Sequence, residues 1–201
     1  MSPILPTEKI DDNRTLILDA AEKRYRDYGY GKTTMAEIAE DVGMSAANLY
    51  RYFKNKNEIG CACAKRCMGE RIDQLRVVVR TPGLSAVERL RAYVQESLRY
   101  SYENAGTDQK INELVQKILN ERKDLVQEKV ETEIGLIAEI LAQGNSSGEF
   151  SVSDVLVTAR NIQTAIVMFN VPTFLGLYPL EQFQEMADGV VDLILTGLLP
   201  R

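Results

Sequence analysis

Spacings of three and four between apolar residues recur along the whole 201-residue chain, and the strict alternation that a half-buried strand needs is nowhere sustained. That pattern predicts an all-α fold. Ile17, Leu18, Ala21, Tyr25 and Tyr28 mark one face of a first helix that stops at Gly29. Thr33-Thr34 opens a short helix, Gly43 punctuates, and Ser45 opens another running to about Phe53. Asn55 to Asn57 restart the chain into a longer helix reaching about Arg80, where Thr81-Pro82-Gly83 breaks it. Ser85 to Glu88 has the form of a capping box, opening a helix with Val87, Leu90, Val94, Leu98 and Ser101 on one side. Asn104 to Gly106 ends it, and Asp108 caps the next, which carries Ile111, Leu114, Val115 and Ile118. A long charged helix to about Gln143 follows, with Val126, Val130, Ile134, Ile137 and Leu141 aligned, then a small polar turn from Gly144 to Gly148. Two apolar helices near 153–170 and 180–198 close the chain, about nine helices in all.

The most informative segment is Thr33 to Lys56, TTMAEIAEDVGMSAANLYRYFKNK. Ile38, Val42, Leu49 and Phe53 supply inward faces, and Ala39 is small where two helices must approach. Gly43 accepts a positive φ at the turn, and Ser45 caps the second helix, leaving its first turn exposed. This is the grammar of a helix-turn-helix, whose second helix fits a DNA major groove.

Charge has to be read locally. The chain carries 24 basic and 29 acidic residues, a balance that argues against indiscriminate coating of nucleic acid or membrane. Yet from Val42 to Asn57 there are three bases, Arg51, Lys54 and Lys56, and no acid. Thr33, Thr34, Tyr50 and Tyr52 add hydroxyl donors, so the local surface suits phosphate. Histidine is absent, which removes Ser-His-Asp, Cys-His and His-ligated zinc chemistry. No spacing organises the remaining carboxylates, lysines and tyrosines into a catalytic site; no enzyme, cofactor or metal is expected. No apolar run is long enough for a membrane helix, and the first residues lack the form of a secretory signal, so a cytoplasmic setting is expected.

The stretch from Ile17 to Ile59 resembles the DNA-binding domain of the TetR family of bacterial transcriptional regulators. The residues that carry the likeness are Ile17-Leu18, Ala20-Ala21, Tyr25, Gly29-Tyr30, Thr33-Thr34, Ile38-Ala39, Val42-Gly43, Ser45, Leu49-Tyr50, Tyr52-Phe53, Lys56 and Ile59. The resemblance implies a flexible arm over 1–12, a three-helix DNA-binding domain over 13–60, and a helical ligand-binding and dimerisation domain over 61–201. It further implies a homodimer on a palindromic double-stranded operator, probed by Ser45, Ala46, Ala47 and Asn48 at the exposed turn and released by a small-molecule effector. Asn48 is the best reader of a base edge, since its amide pairs with adenine. Thr33, Thr34, Tyr50, Tyr52 and Lys56 would contact the DNA backbone, with Arg51 and Lys54 beside them. Ala46 and Ala47 depart from the commoner pattern and offer only methyl contacts.

Cys61, Cys63 and Cys67 give a second possibility, a thiol or soft-metal sensor, against their plain role as small apolar fillers. An effector pocket is expected between about 85 and 178, with Tyr93, Tyr100, Tyr102, Asn112, Asn161, Gln163, Met168, Phe169 and Phe174 as lining candidates. Glu113, Glu121, Glu128 and Glu131 read as solvated faces, and Tyr25, Tyr28 and Tyr30 as packing residues. A dimer face is expected from Leu156, Ala159, Ile162, Ile166, Val190, Leu193, Ile194 and Leu198. The competing class is a helical protein-interaction module without DNA binding.

Overall fold

The computed structural model describes residues 6–104 and 109–200. Among these it contains ten α-helices, one 3-10 turn and no strand. The first four helices are α1 (Pro6–Tyr28), α2 (Met35–Asp41), α3 (Ala46–Leu49) and α4 (Lys56–Arg80). They are followed by α5 (Ala86–Asn104), α6 (Gln109–Glu121) and α7 (Lys123–Ser147). The chain ends with α8 (Val155–Ala165), a 3-10 turn (Val167–Phe169), α9 (Pro172–Leu175) and α10 (Leu180–Leu198).

Several boundaries differ from the expectation for physical reasons. Helix α1 begins at Pro6, so the backbone from 6 to 12 is helical rather than an arm. Helix α7 runs past Gly144 and stops at Gly148, whose φ of +77° ends it. Gly144 is instead a packing position: a Cβ there would lie 2.1 Å from Cδ2 of Phe150. The expected helix over 153–170 ends at Ala165 and passes into the 3-10 turn and then α9. The caps of residues 105–108, Asp108 included, lie outside the described residues.

The chain divides into two compact units, the first comprising residues 1–67 with 108–123, the second 68–107 with 124–201. The expected division at 60/61 therefore moves, and α6 belongs with the N-terminal helices. Its attachment is specific. Glu113 accepts from the Gly31 backbone N–H at 3.0 Å, and Lys110 donates to the Asp27 carbonyl at 2.7 Å. A Cβ at Gly60 would meet Leu114 at 3.1 Å, so this glycine lets α4 and α6 approach. The core of the first unit is built from Ile17, Ala21, Tyr25, Ile38, Leu49, Phe53 and Ile59, all buried. Tyr28 is the exception among the tyrosines expected to pack: it is exposed, with the Arg24 guanidinium 5.7 Å from its ring centre.

The second unit has its own larger core, drawing on α5, α7, α8 and α10, with Leu90, Val94, Ile137, Ala159, Phe183 and Val191 fully buried. The Ser85–Glu88 capping box forms as read: the Glu88 N–H donates to the Ser85 hydroxyl at 3.2 Å, and the Ser85 N–H to the Glu88 carboxylate at 2.8 Å. The Ser85 N–H and the Ser85 hydroxyl, both donating to the Glu88 carboxylate at 2.8 Å, hold that carboxyl below its usual range. No helix among the described residues is long and apolar enough to cross a membrane.

Candidate nucleic-acid interface

In the first unit, α2 opens with a capping box of its own. The Glu37 N–H donates to the Thr34 hydroxyl at 3.3 Å, and the Thr34 N–H donates to the Glu37 carboxylate at 2.8 Å. Arg24 of α1 grips Asp41 through two guanidinium nitrogens and lies 3.5 Å from Glu37. The bonds from Thr34 and the charge of Arg24 hold the Glu37 carboxyl low, and the Arg24 hydrogen bond does the same for Asp41. Two acids of α2 are thus tied to α1 through Arg24.

The turn follows directly. Gly43 sits at φ +65°, and the Met44 N–H reaches back to the Ala39 carbonyl at 2.8 Å. Ser45 then caps α3, its hydroxyl accepting from the Asn48 N–H at 3.2 Å. Leu49 is fully buried and locks α3 onto the unit. Regular helix in the recognition element ends at Leu49, short of the expected Phe53; i to i+3 bonds from the Arg51 and Tyr52 N–H groups follow, and the Phe53 N–H returns to the Leu49 carbonyl. Ser45, Ala47, Tyr50, Arg51 and Lys54 are exposed on this element, with Ala46, Asn48 and Tyr52 half-buried. These residues form one polar and basic surface capable of meeting a groove and its phosphates.

Two expected backbone contacts are drawn inward. Thr33 is 1% exposed and its hydroxyl donates to the Gly29 carbonyl at 2.9 Å, so it builds the turn after α1 and is not offered to phosphate. Thr34 is exposed, though engaged in its capping box. Lys56 donates to the carbonyls of Tyr30 at 2.8 Å and Gly31 at 3.2 Å, and lies 4.5 Å from the Tyr30 ring centre. Its ammonium therefore satisfies chain carbonyls first.

Sequence reasoning missed two supports of this surface. Asn13 donates to the Tyr52 hydroxyl at 2.9 Å. Arg14 donates to the Tyr52 carbonyl at 2.7 Å while its guanidinium covers the Phe53 ring at 4.2 Å. Nothing local in the sequence links α1 to residues almost forty positions later.

Two of the three cysteines are packed inside the first unit, and Cys67 is half-buried. Cys61 and Cys63 are buried, and burial pushes the Cys63 thiol well above its ordinary range, the opposite of what a reactive thiolate needs.

The second unit holds a buried polar network that the sequence did not announce. Arg71 of α4 and Glu133 of α7 are 3% and 0% exposed and pair at 2.8 Å. Lys129 reaches the same carboxylate at 2.9 Å, and Gln163 donates to it at 2.8 Å. Arg71 further donates to the Ser97 carbonyl at 3.1 Å, to the hydroxyls of Ser97 and Ser101, and to Oδ1 of Asn170 at 3.0 Å. Burial opposes the charge on Glu133, but Arg71 and Lys129 outweigh it and the carboxyl lies below its usual value.

Of the expected lining residues, Tyr93 and Gln163 join this network, Tyr93 donating to the Glu133 carbonyl at 3.4 Å. Tyr100 and Phe169 are buried, and Tyr102 and Met168 are half-buried against the core. Asn161 and Phe174 are exposed and do not line an interior, while Asn112 lies on α6 in the first unit. Glu113, expected as a solvated face, holds Gly31.

The expected dimer set also separates. Ala159, Ile162, Ile166 and Leu198 are buried in the unit's own core, because their helices need that stripe to pack at home. Leu156 and Leu193 are exposed, at 60% and 76%, with Val190 and Ile194 half-buried beside them and Val157 exposed as well.

A small helical unit that presents a capped recognition turn, joined to a larger helical unit with its own core, is the architecture of a helix-turn-helix regulator. Residues 17–60 match the profile of the bacterial regulatory proteins of the tetR family, and residues 86–191 match the tetracyclin repressor-like C-terminal domain. The chain belongs to the TetR family of transcriptional regulators. It is similar to the fatty acid metabolism regulator protein of Bacillus subtilis (strain 168), 24% identical over 198 residues, covering 90% of this chain and 93% of that one. Among solved structures, a transcriptional regulator from Cytophaga hutchinsonii superposes with a TM-score of 0.74 at 22% identity, covering 92% and 98% of the two chains. FadR from Bacillus subtilis, in complex with stearoyl-CoA, gives a TM-score of 0.67 at 23% identity over 91% and 98%.

Proposed function

We propose that the protein is a cytoplasmic, homodimeric repressor that binds a palindromic operator and leaves it when a small amphipathic molecule with a long apolar chain enters the second unit. The observation that carries the DNA half is the recognition turn from Ser45 to Asn48, capped by Ser45 and bordered by exposed Arg51 and Lys54. Within it Asn48 reads bases, while Ala46 and Ala47 contribute methyl contacts. Thr34, Tyr50, Tyr52 and Lys54 meet the backbone. The dimer uses the exposed apolar residues Leu156, Val157 and Leu193 with the edges of Val190 and Ile194, since two half-sites require two recognition elements at fixed spacing. Support for the effector class comes from the relatives named for fatty acid metabolism and from the apolar core of the second unit.

The test is selection of duplexes from a random pool, followed by anisotropy titration over a range of salt. An inverted repeat bound with a steep salt dependence is expected. Shallow, sequence-blind binding, or none, would leave the helical interaction module as the better account.

A further inference from the structure

The Arg71–Glu133 network is closed at its charges and open at its amides. Each of the five guanidinium N–H groups of Arg71 has an acceptor, shared among Glu133, the Ser97 carbonyl, the two hydroxyls and Asn170. Glu133 is met by Arg71, Lys129 and Gln163. By contrast, Oε1 of Gln163 and Nδ2 of Asn170 have no hydrogen-bond partner, although each residue is only 8% exposed. Their orientation follows from their neighbours. Gln163 must turn Nε2 toward the Glu133 carboxylate, and Asn170 must turn Oδ1 toward Arg71, so one carbonyl acceptor and one NH2 donor group are left over. Two orphaned atoms on one network are a cost to folding that binding would offset.

Resting on the proposal that the second unit takes an effector, we infer that Gln163 and Asn170 anchor an uncharged amide-type head group. The ligand's N–H donates to Gln163, its carbonyl accepts from Asn170, and its apolar remainder lies in the core. The chain neighbours of the two amides, Ile162 and Phe169, are buried core residues, so the orphaned atoms lie at the edge of apolar packing. An anionic head finds nothing comparable, because Arg71 has no N–H to spare and Glu133 repels it. The anchor also touches α4 through Arg71, the helix that begins immediately after the recognition element.

Calorimetry with decanamide and sodium decanoate, on the full-length protein, tests the assignment. Asn170→Asp keeps the oxygen that faces Arg71 and Ser97 but loses the donor. Gln163→Lys keeps a donor for Glu133 but loses the acceptor. The wild type should bind decanamide at least about tenfold more tightly than decanoate, and each variant should lose roughly tenfold for decanamide. Circular dichroism and probe-free operator affinity should stay unchanged in both. Absent binding to the wild type, equal affinity for the two probes, or variants that keep the amide overturn the anchor. Should one variant fail to fold, the other and the wild-type preference still decide. Operator release is read separately by anisotropy. Amide binding that obeys the variants without releasing DNA supports the anchor and removes the inducer role; release that ignores both variants overturns the anchor and retains that role.

Discussion

The two units handle polar groups in opposite ways. The DNA-reading unit keeps its charges at the surface and ties several of them to backbone: Lys56 to two carbonyls, Glu37 to the start of α2, Glu113 to Gly31. The second unit buries a cation and an anion outright and surrounds them with hydroxyls and amides. The difference teaches where each can tolerate change. A surface contact is lost alone, whereas a member of the buried network leaves its partners stranded.

The largest expected effect tests that asymmetry. Glu133→Leu leaves Arg71 buried beside no carboxylate and should destabilise the chain by about 3–5 kcal/mol in chemical denaturation. Adding Arg71→Met removes the unpaired buried cation and should recover part of the loss; no recovery would place the cost in the hydroxyls and amides left behind and not in the stranded charge. The second test is acid. The Glu133 carboxyl lies below its ordinary value of 4.5 in the folded protein, so its contribution is present above that value and fades as pH falls through the lower folded one. The stability gap between wild type and Glu133→Gln should therefore be full at pH 7 and shrink in acid below about 4.5. A gap independent of pH would refute the linkage.

Smaller effects belong to the reading surface. Asn48→Ala should cost about 1–3 kcal/mol on the preferred duplex and relax preference at one position. A uniform loss on all duplexes would make Asn48 a structural residue. Smallest is the contrast of two lysines. Lys54→Ala should lower the salt slope by about 0.9, the release of one phosphate contact. Lys56→Ala should weaken all duplexes alike and leave the slope unchanged, because its charge serves Tyr30 and Gly31; a falling slope would return it to the DNA backbone.

Helical periodicity and capping pairs made most of the fold legible. Ser85 with Glu88, Gly43 and Ser45 are local devices whose chemistry acts within a few residues, and each formed as read. What stayed hidden was long-range. Arg71 and Glu133 lie 62 positions apart, and a charged residue on a helix looks the same in sequence whether it meets water or a partner. The apolar stripes of α8 and α10 raised the same difficulty in reverse: Ile162 and Ile166 are core, and only their neighbours Leu156 and Leu193 remain exposed. Thr33 was misjudged because its hydroxyl turns back to a carbonyl four residues earlier, a choice settled by the turn geometry after α1.

Helix α4 has a mechanical consequence. It starts at Lys56, stapled to the turn carbonyls of Tyr30 and Gly31, and carries Arg71 about four turns later on the same uninterrupted rod. At roughly 1.5 Å of rise per residue the two anchors stand about 22 Å apart. A tilt of about 5° pivoting on one would swing the other by about 2 Å, more than the tolerance of a hydrogen bond. Over that length a small angular change at one end of α4 becomes a displacement of bond-length scale at the other.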